Sequence, residues 1–215
     1  MNTFLVITGL IKEEYIQYLI SSYKDVNHKI ISTWYNQDKK LIKYLEDNNF
    51  IIVLDDYPLN NTSTNYQCRA IHNGCLKAKE LGANYIIRMR TDVSSYNTIS
   101  FINLLEEEFF PKDKLISFCG LETNDGIYFY DLMVAGKVNQ MIDFYKHYQY
   151  FGDNRYNEKF LIESSINKSI SSREDIRQLL NFCGSRCRDK NIHFYFNKYR
   201  YDVINDYCNR YYSWT

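Results

Sequence analysis

The chain has 215 residues, 45% of them apolar, and its 26 Lys plus Arg balance 26 Asp plus Glu. That length and apolar content suit one domain with a sizeable core. The neutral balance removes any overall electrostatic case for DNA, RNA or an anionic membrane as the main partner. The opening stretch MNTFLVITGLIKEEY has a short apolar run, no basic leader and acidic residues directly after it, so it predicts neither a signal peptide nor a membrane span. A cytoplasmic protein is the expectation.

Apolar runs then alternate with helical patterns, which predicts an α/β fold. TFLVITG (3–9) reads as a buried strand ending at Thr8 and Gly9, followed by a helix through IKEEYIQYLISSY. HKIISTWY (28–35) is a second strand and QDKKLIKYLEDNN a charged helix. FIIVLDDYP (50–58) is a third strand, ended by Asp55, Asp56 and Pro58. PLNNTSTN reads as a loop, YQCRAIHNGCLKAKELG as a helix with Gln67, Ile71, Gly74, Ala78 and Leu81 on one face, and NYIIRMRTDV (84–93) as a fourth strand. Four strands with three crossover helices make a parallel sheet, whose ligands bind beyond the strands' carboxyl ends. Gly9, Trp34, Asp55, Asp56 and Asp92 all fall at that edge.

The second half is less regular. KLISFCG (114–120), GIYFYDLMVAG (126–136) and IHFYFN (192–197) predict strands. KVNQMIDFYKHYQYF, NEKFLIESSINKS and REDIRQLLNF predict helices, and the closing YDVINDYCNRYYSWT is rich in aromatic residues. No internal repeat or low-complexity segment is present.

The stretch NYQCRAIHNGCLKAKELGANYIIRMRTD (65–92) resembles the core motif of the WavE-type glycosyltransferases associated with lipopolysaccharide synthesis. Asn65, Gln67, Ala70, Gly74, Ala78, Arg90, Thr91 and Asp92 stand at its positions. IISTW (30–34) resembles that family's second strand, YDLMVAG (130–136) its Asp-containing strand ending in Gly, and NEKFL its helix opening on Glu. Small glycosyltransferases of large DNA viruses are similar in size and layout. The resemblance implies a GT-A-like single domain, with a nucleotide-binding half over 1–92 and an acceptor half over 93–215. It also implies a nucleotide-sugar donor and a divalent metal, Mn²⁺ or Mg²⁺.

The chemistry gives Asp92 a separate rationale. A leaving nucleoside diphosphate gathers negative charge, and a divalent ion held by a carboxylate at a rigid strand end stabilises it. Such folds show Asp-x-Asp at this point, whereas here Arg90 replaces the first acid, and Arg88 or Arg90 can contact phosphate directly. The competing reading makes Asp92 a cap of the next loop. Thr8, Gly9, Trp34, Asp55, Asp56 and Arg69 are candidates for the nucleotide: Trp34 to stack on a base, Asp55 or Asp56 to accept from uracil or ribose. A packed Trp, an Asp-Asp turn and a solvated helix Arg are the plain alternatives. His193 is a candidate metal ligand, against a hydrogen-bonded niche between aromatics.

An attacking hydroxyl must shed a proton, and Asp131 and Glu158 follow the metal motif as candidate catalytic carboxylates. The resemblance favours Glu158 as base, with Asp131 holding donor or acceptor sugar. Glu158 as a simple helix cap is the alternative. Of the six cysteines, CGSRC (183–187) with His193 and Cys208 offers a rival zinc set, but Cys-x3-Cys lies outside the stronger zinc spacings, and buried thiols are the expectation for these and for Cys68, Cys75 and Cys119. Two other functions remain open: a nucleotide-sugar-binding module without turnover, and a nucleotidyltransferase, although neither a Gly-rich phosphate loop nor a paired acid is present.

Overall fold

The structure is a computed structural model that describes residues 1–56, 63–123, 126–146 and 157–197. In chain order the elements are β1 (Thr3–Thr8), α1 (Glu13–Tyr23), β2 (Lys29–Trp34), α2 (Lys39–Asp47), β3 (Ile51–Asp55), α3 (Ser63–Glu80), β4 (Tyr85–Arg90), β5 (Val93–Ser95) and α4 (Thr98–Leu104). A π turn (Leu105–Phe109) and a 3-10 turn (Phe110–Lys112) continue α4. Then come β6 (Leu115–Ser117), β7 (Gly120–Thr123), β8 (Gly126–Phe129), β9 (Met133–Lys137), α5 (Val138–Tyr145), α6 (Asn157–Ile166), α7 (Arg173–Leu179), β10 (Leu180–Phe182), α8 (Gly184–Asp189) and β11 (Phe194–Phe196).

Seven strands form one sheet in the order β10-β6-β9-β4-β1-β2-β3. β1 pairs in parallel with β2 and β4, β2 with β3, and β10 with β6, while β9 runs antiparallel between β4 and β6. The mainly parallel α/β sheet expected from the alternation is therefore present, and both halves of the chain contribute strands to it. The residue period of two sorts each strand between two layers. In β1, Leu5 and Ile7 join the core cluster that contains Ile16 and Leu19 of α1, whereas Phe4 and Val6 face Ile71, Cys75 and Ala78 of α3. β4 divides the same way, Ile87 and Met89 to one layer and Ile86 to the other. Burial on both faces explains why these strands read as continuous apolar runs. Helix α3 lies directly on the sheet at Gly74, where a Cβ would stand 2.5 Å from Val6 Cγ1 and 3.1 Å from Ser32 Cβ.

Several elements differ from expectation. The strand expected over 126–136 is two, β8 and β9, with Asp131 in the turn between them. β8 pairs with β7 in a separate hairpin, and only β9 enters the main sheet. The helix expected over 173–182 stops at Leu179, because Leu180 turns extended (φ −117°, ψ 140°) and β10 adds to the sheet beside β6. The fourth strand ends at Arg90, and Val93 opens β5, which pairs antiparallel with β11. Leu81, placed on the packed face of α3, is 40% exposed beyond the helix end. Of the loop expected over 58–65, residues 63–65 instead open α3; residues 57–62, 147–156 and the aromatic end from 198, with Cys208, lie outside the described residues.

Candidate functional site

The strand order reverses direction between β1 and β4: from β1 the chain builds outward through β2 and β3, then returns to add β4 on β1's other side. Ligands of open α/β sheets bind in the crevice beyond the carboxyl ends at such a reversal. A cleft of about 370 Å³ lies there, lined by the end of β1 (Thr8, Gly9), the following segment (Leu10, Lys12, Tyr15), Trp34, Gln67 and Ala70 of α3, and the end of β4 (Arg88, Arg90, Thr91, Asp92).

The floor is tightly tied. Gly9 has φ +133°, and a Cβ on it would stand 2.6 Å from Thr91 Oγ1. Only glycine fits both the backbone angle and the space. Thr91 Oγ1 donates to the Leu10 carbonyl (2.9 Å), Thr33 Oγ1 donates to the Gly9 carbonyl (2.8 Å), and the Thr91 amide donates to the Thr8 carbonyl (3.1 Å). The β1 and β4 ends are thus tied to each other.

The charged groups arrive already paired. Arg88 is 1% exposed; its Nε donates to Thr8 Oγ1 at 3.1 Å, its guanidinium bonds the Asp131 carbonyl, and it stands 3.6 Å from the Asp131 carboxylate. Asp131 therefore does not interrupt a strand. It sits in the β8–β9 turn, where its carbonyl and carboxylate both meet Arg88, which supplies the partner that a buried carboxylate needs. Arg90 grips Asp92 through two parallel bonds, Nε to Oδ1 at 2.9 Å and Nη2 to Oδ2 at 2.7 Å. Asp55 is held likewise by Arg69 (2.7 and 2.6 Å), and Asn73 donates to the same carboxylate.

Glu158, at the start of α6, belongs to the same electrostatic group. Burial, and next the charge of Asp131, push its carboxyl up to about 7, against the opposing pull of its own backbone amide, Arg88 and Arg90. Burial also raises the Cys68 thiol nearby.

Thr8, Gly9, Trp34, Arg90 and Asp92 thus line one cleft. Asp131 and Glu158 are not among the lining residues; Asp131 pairs with Arg88, and Glu158 feels the charges of Asp131, Arg88 and Arg90. Asp55, Asp56 and Arg69 do not line the cleft: Asp55 and Arg69 are committed to each other, and Asp56 is exposed with its amide on Asp55 Oδ1. Trp34 lines the cleft yet is only 3% exposed, so its ring is mainly packed. Lys12 and Tyr15 also line the cleft without having been singled out; their signal was their place just after Gly9 on the first crossover.

The metal expectation meets a poor donor set. Both oxygens of Asp92 face Arg90, and among the described residues no group of three His, Cys, Asp or Glu side chains gathers as a cation would need. His193 is displaced from Asp92 by register: Asn197 donates its amide to the Asp92 carbonyl (2.9 Å), leaving His193 four residues away, roughly 13 Å along an extended strand, with its Nε2 2.8 Å from Asn191 Oδ1. These residues do not fit a resident Mn²⁺ or Mg²⁺. Of the rival zinc set, Cys183, Cys187 and His193 make no metal-binding group among the described residues, the two cysteines being buried thiols, and Cys208 lies outside those residues.

No protein-family model matches this sequence, and no curated protein matches it by sequence, so the WavE-type relationship has no support from a sequence match. Among solved structures, it is similar to a glycosyltransferase involved in glycosylation of the major capsid of PBCV-1, with 10% identity, TM-score 0.49, and 86% of this chain and 82% of that chain covered. It is also similar to a cytidylyltransferase from Leptospira borgpetersenii (9%, TM-score 0.48, 78% and 71% covered) and to HddC from Yersinia pseudotuberculosis (16%, TM-score 0.43, 66% and 80% covered). Likenesses at this level concern fold outline alone. No helix among the described residues is long and apolar enough to cross a membrane.

Proposed function

We propose that the chain is a GT-A-like glycosyltransferase that moves a sugar from a nucleotide-sugar donor, UDP-linked, to a hydroxyl of a glycan or other acceptor. The observation that carries this reading is Glu158: a carboxyl raised to about 7 within the charge group of Asp131, Arg88 and Arg90, whose two arginines line the cleft at the strand-order reversal. A base poised near neutrality is what transfer to a hydroxyl requires. In the reaction the acceptor O–H gives its proton to the Glu158 carboxylate and the oxygen bonds to the anomeric carbon. The bond from that carbon to the β-phosphate oxygen breaks, and its electron pair leaves with UDP. Arg88 and Arg90 offer guanidinium charge to the diphosphate, and Trp34 borders the place for the base. No step runs through a metal, because Asp92 is committed to Arg90.

Binding without turnover is the second reading, favoured by that same closed Arg90–Asp92 pair; a nucleotidyltransferase is disfavoured by the absence of a Gly-rich phosphate loop. Incubation with a panel of nucleotide sugars separates them. Slow release of free sugar and UDP from one donor, lost in Glu158→Gln, supports transfer; release of pyrophosphate from a nucleoside triphosphate with a sugar phosphate supports the nucleotidyltransferase. Calorimetry of UDP binding with Mn²⁺ and with EDTA reads the metal, and equal affinity in both is expected. A tenfold gain with Mn²⁺ that disappears in Asp92→Ala would restore the cation to the site.

A further inference from the structure

We infer that the open edge of the main sheet, strand β3 with the outer flank of α2, is an interface for a second copy of this chain, joined two-fold so that the sheet runs on from β3 of one copy into β3 of the other. The inference is independent of the glycosyl-transfer reading. Among the described residues β3 pairs with β2 alone, while the opposite edge, β10, is a strand of three residues. The Tyr35 amide donates to the Asp55 carbonyl at 3.0 Å. Backbone groups alternate in direction along a strand, so Ile51, Val53 and Asp55 turn theirs to β2, and Ile52 and Leu54 turn theirs to the open edge. Exposed edges are ordinarily blunted by proline, lysine or a bulge. The run from Ile51 to Leu54 has none of these: it pairs with β2 in unbroken register, Ile51 is 36% exposed, and the carboxylate that follows, Asp55, is already held by Arg69. Antiparallel pairing of two such edges about Val53 sets Ile52 opposite Leu54 of the second copy, each exchanging both backbone bonds with its opposite.

Helix α2 points to a second copy as the occupant. Leu41, Ile42 and Leu45 join the core layer that holds Ile31 of β2 and Ile52 of β3. Tyr44 lies on the flank toward α1, where its hydroxyl accepts from Gln17 Nε2 at 3.1 Å. At about 3.6 residues per turn, Lys39, Ile42 and Glu46 share the opposite flank, toward the open edge. Lys39 and Glu46 are exposed, and each stands at the end of its own helix dipole that disfavours its charge, for α2 has no acid in its first turn and no base in its last. Asp47 pairs with Lys43 within the helix, which leaves Lys39 and Glu46 as the outward pair. As a crossover between parallel strands, α2 runs antiparallel to β3, so its middle lies beside Val53. A two-fold axis at Val53 therefore sets Lys39 of each copy against Glu46 of the other, with the two Ile42 side chains between them and the helix dipoles opposed. Strands lie about 4.8 Å apart, so two helices each seated over a β2–β3 seam come to roughly 10 Å, a normal helix-packing distance. A foreign strand could extend the sheet but has no reason to match this order of charge.

The test is sedimentation velocity of the full-length protein over about 1–200 μM, the range that resolves a dimer of micromolar affinity, beside hydrogen exchange of the Ile52 and Leu54 amides. The expected result is a reversible dimer, with protection of those two amides that rises with protein concentration. Lys39→Glu and Glu46→Lys should each weaken the dimer by about fivefold or more, because each sets like charges together on both sides of the axis, and the double variant should restore it. Leu54→Pro should be monomeric yet still melt cooperatively, since the Leu54 amide takes no part in pairing with β2. If that variant fails to fold, the charge reversals decide. A monomer at every concentration overturns the inference. So does a dimer whose Ile52 and Leu54 amides stay unprotected, one that the single reversals leave intact, or one that the double reversal fails to restore.

Discussion

Replacing Glu158 by Gln removes a proton acceptor whose ordinary value of 4.5 is raised to about 7, first by burial and then by Asp131. A general base acts only when ionised, so transfer at saturating donor should climb with pH and level off above about 7. Two pH units below that point roughly one carboxyl in a hundred is ionised, so the rate near pH 5 should be about a hundredfold below the plateau. Glu158→Gln should flatten this profile and lower the plateau at least about a hundredfold, the smaller end of what a lost general base costs. Stability follows the same group with a definite sign. Between 4.5 and about 7 the folded chain holds a proton that the unfolded chain has released, so stability falls as pH rises across that window. The shift sets a ceiling of roughly 3 kcal/mol on this penalty, which Gln does not incur. At about 2–4 °C per kcal/mol for a chain of this size, Glu158→Gln should melt up to about 10 °C above the wild type at pH 8 and level with it at pH 4. Calorimetric scans across that range, beside donor hydrolysis at each pH, make the measurement. A constant melting difference from pH 4 to pH 8, or an inflection near 7 that survives in Glu158→Gln, would refute the reasoning.

Arg88→Met should cost about 3–5 kcal/mol in urea unfolding, because it strands the Asp131 carboxylate in a buried turn, and pairing it with Asp131→Leu should recover part of that loss. Gly74→Ala should cost about 1–3 kcal/mol through the clash with Val6 Cγ1 at 2.5 Å, and Val6→Ala in the same chain should relieve it. Trp34→Ala should lower UDP affinity in calorimetry and also lower stability by about 3–5 kcal/mol, since a ring 3% exposed belongs to the core as well as to the cleft wall. Unchanged UDP affinity in that variant would leave Trp34 a purely structural residue.

The first half of the fold was legible because β1, β2 and β4 are buried on both faces and the helices between them have one packed face, so burial writes most of the pattern. Thr8, Gly9 and Asp92 could be placed for the same reason: the end of a parallel strand is a topological fact, and the reversal between β1 and β4 makes it a crevice. The second half resisted because its strands are three to five residues long and their partners are distant in sequence. Leu180 to Phe182 look like the tail of a helix until β6 offers them an edge, and Val93 reads as the end of the fourth strand with Ser94 and Ser95 in the loop after it until β11 returns a hundred residues later.

What the residue string conceals most thoroughly is the pairing of charge. Asp55, Asp92 and Asp131 each read as a ligand-facing acid when taken alone, yet in the structure each stands against an arginine: Arg69 fourteen residues away, Arg90 two residues away and Arg88 forty-three residues away. A buried or half-buried carboxylate beside a guanidinium is inexpensive to keep ionised, so its presence at a strand end says little about a metal. Glu158 is different. Burial disfavours its charge and a second carboxylate opposes it, while Arg88 and Arg90 offset only part of that cost. A fold that needed nothing from position 158 would avoid the penalty with a glutamine, which has the same shape and no charge to desolvate. The acid that the structure stabilises least is therefore the one whose chemistry most needs a purpose, and the proton of an attacking hydroxyl supplies one.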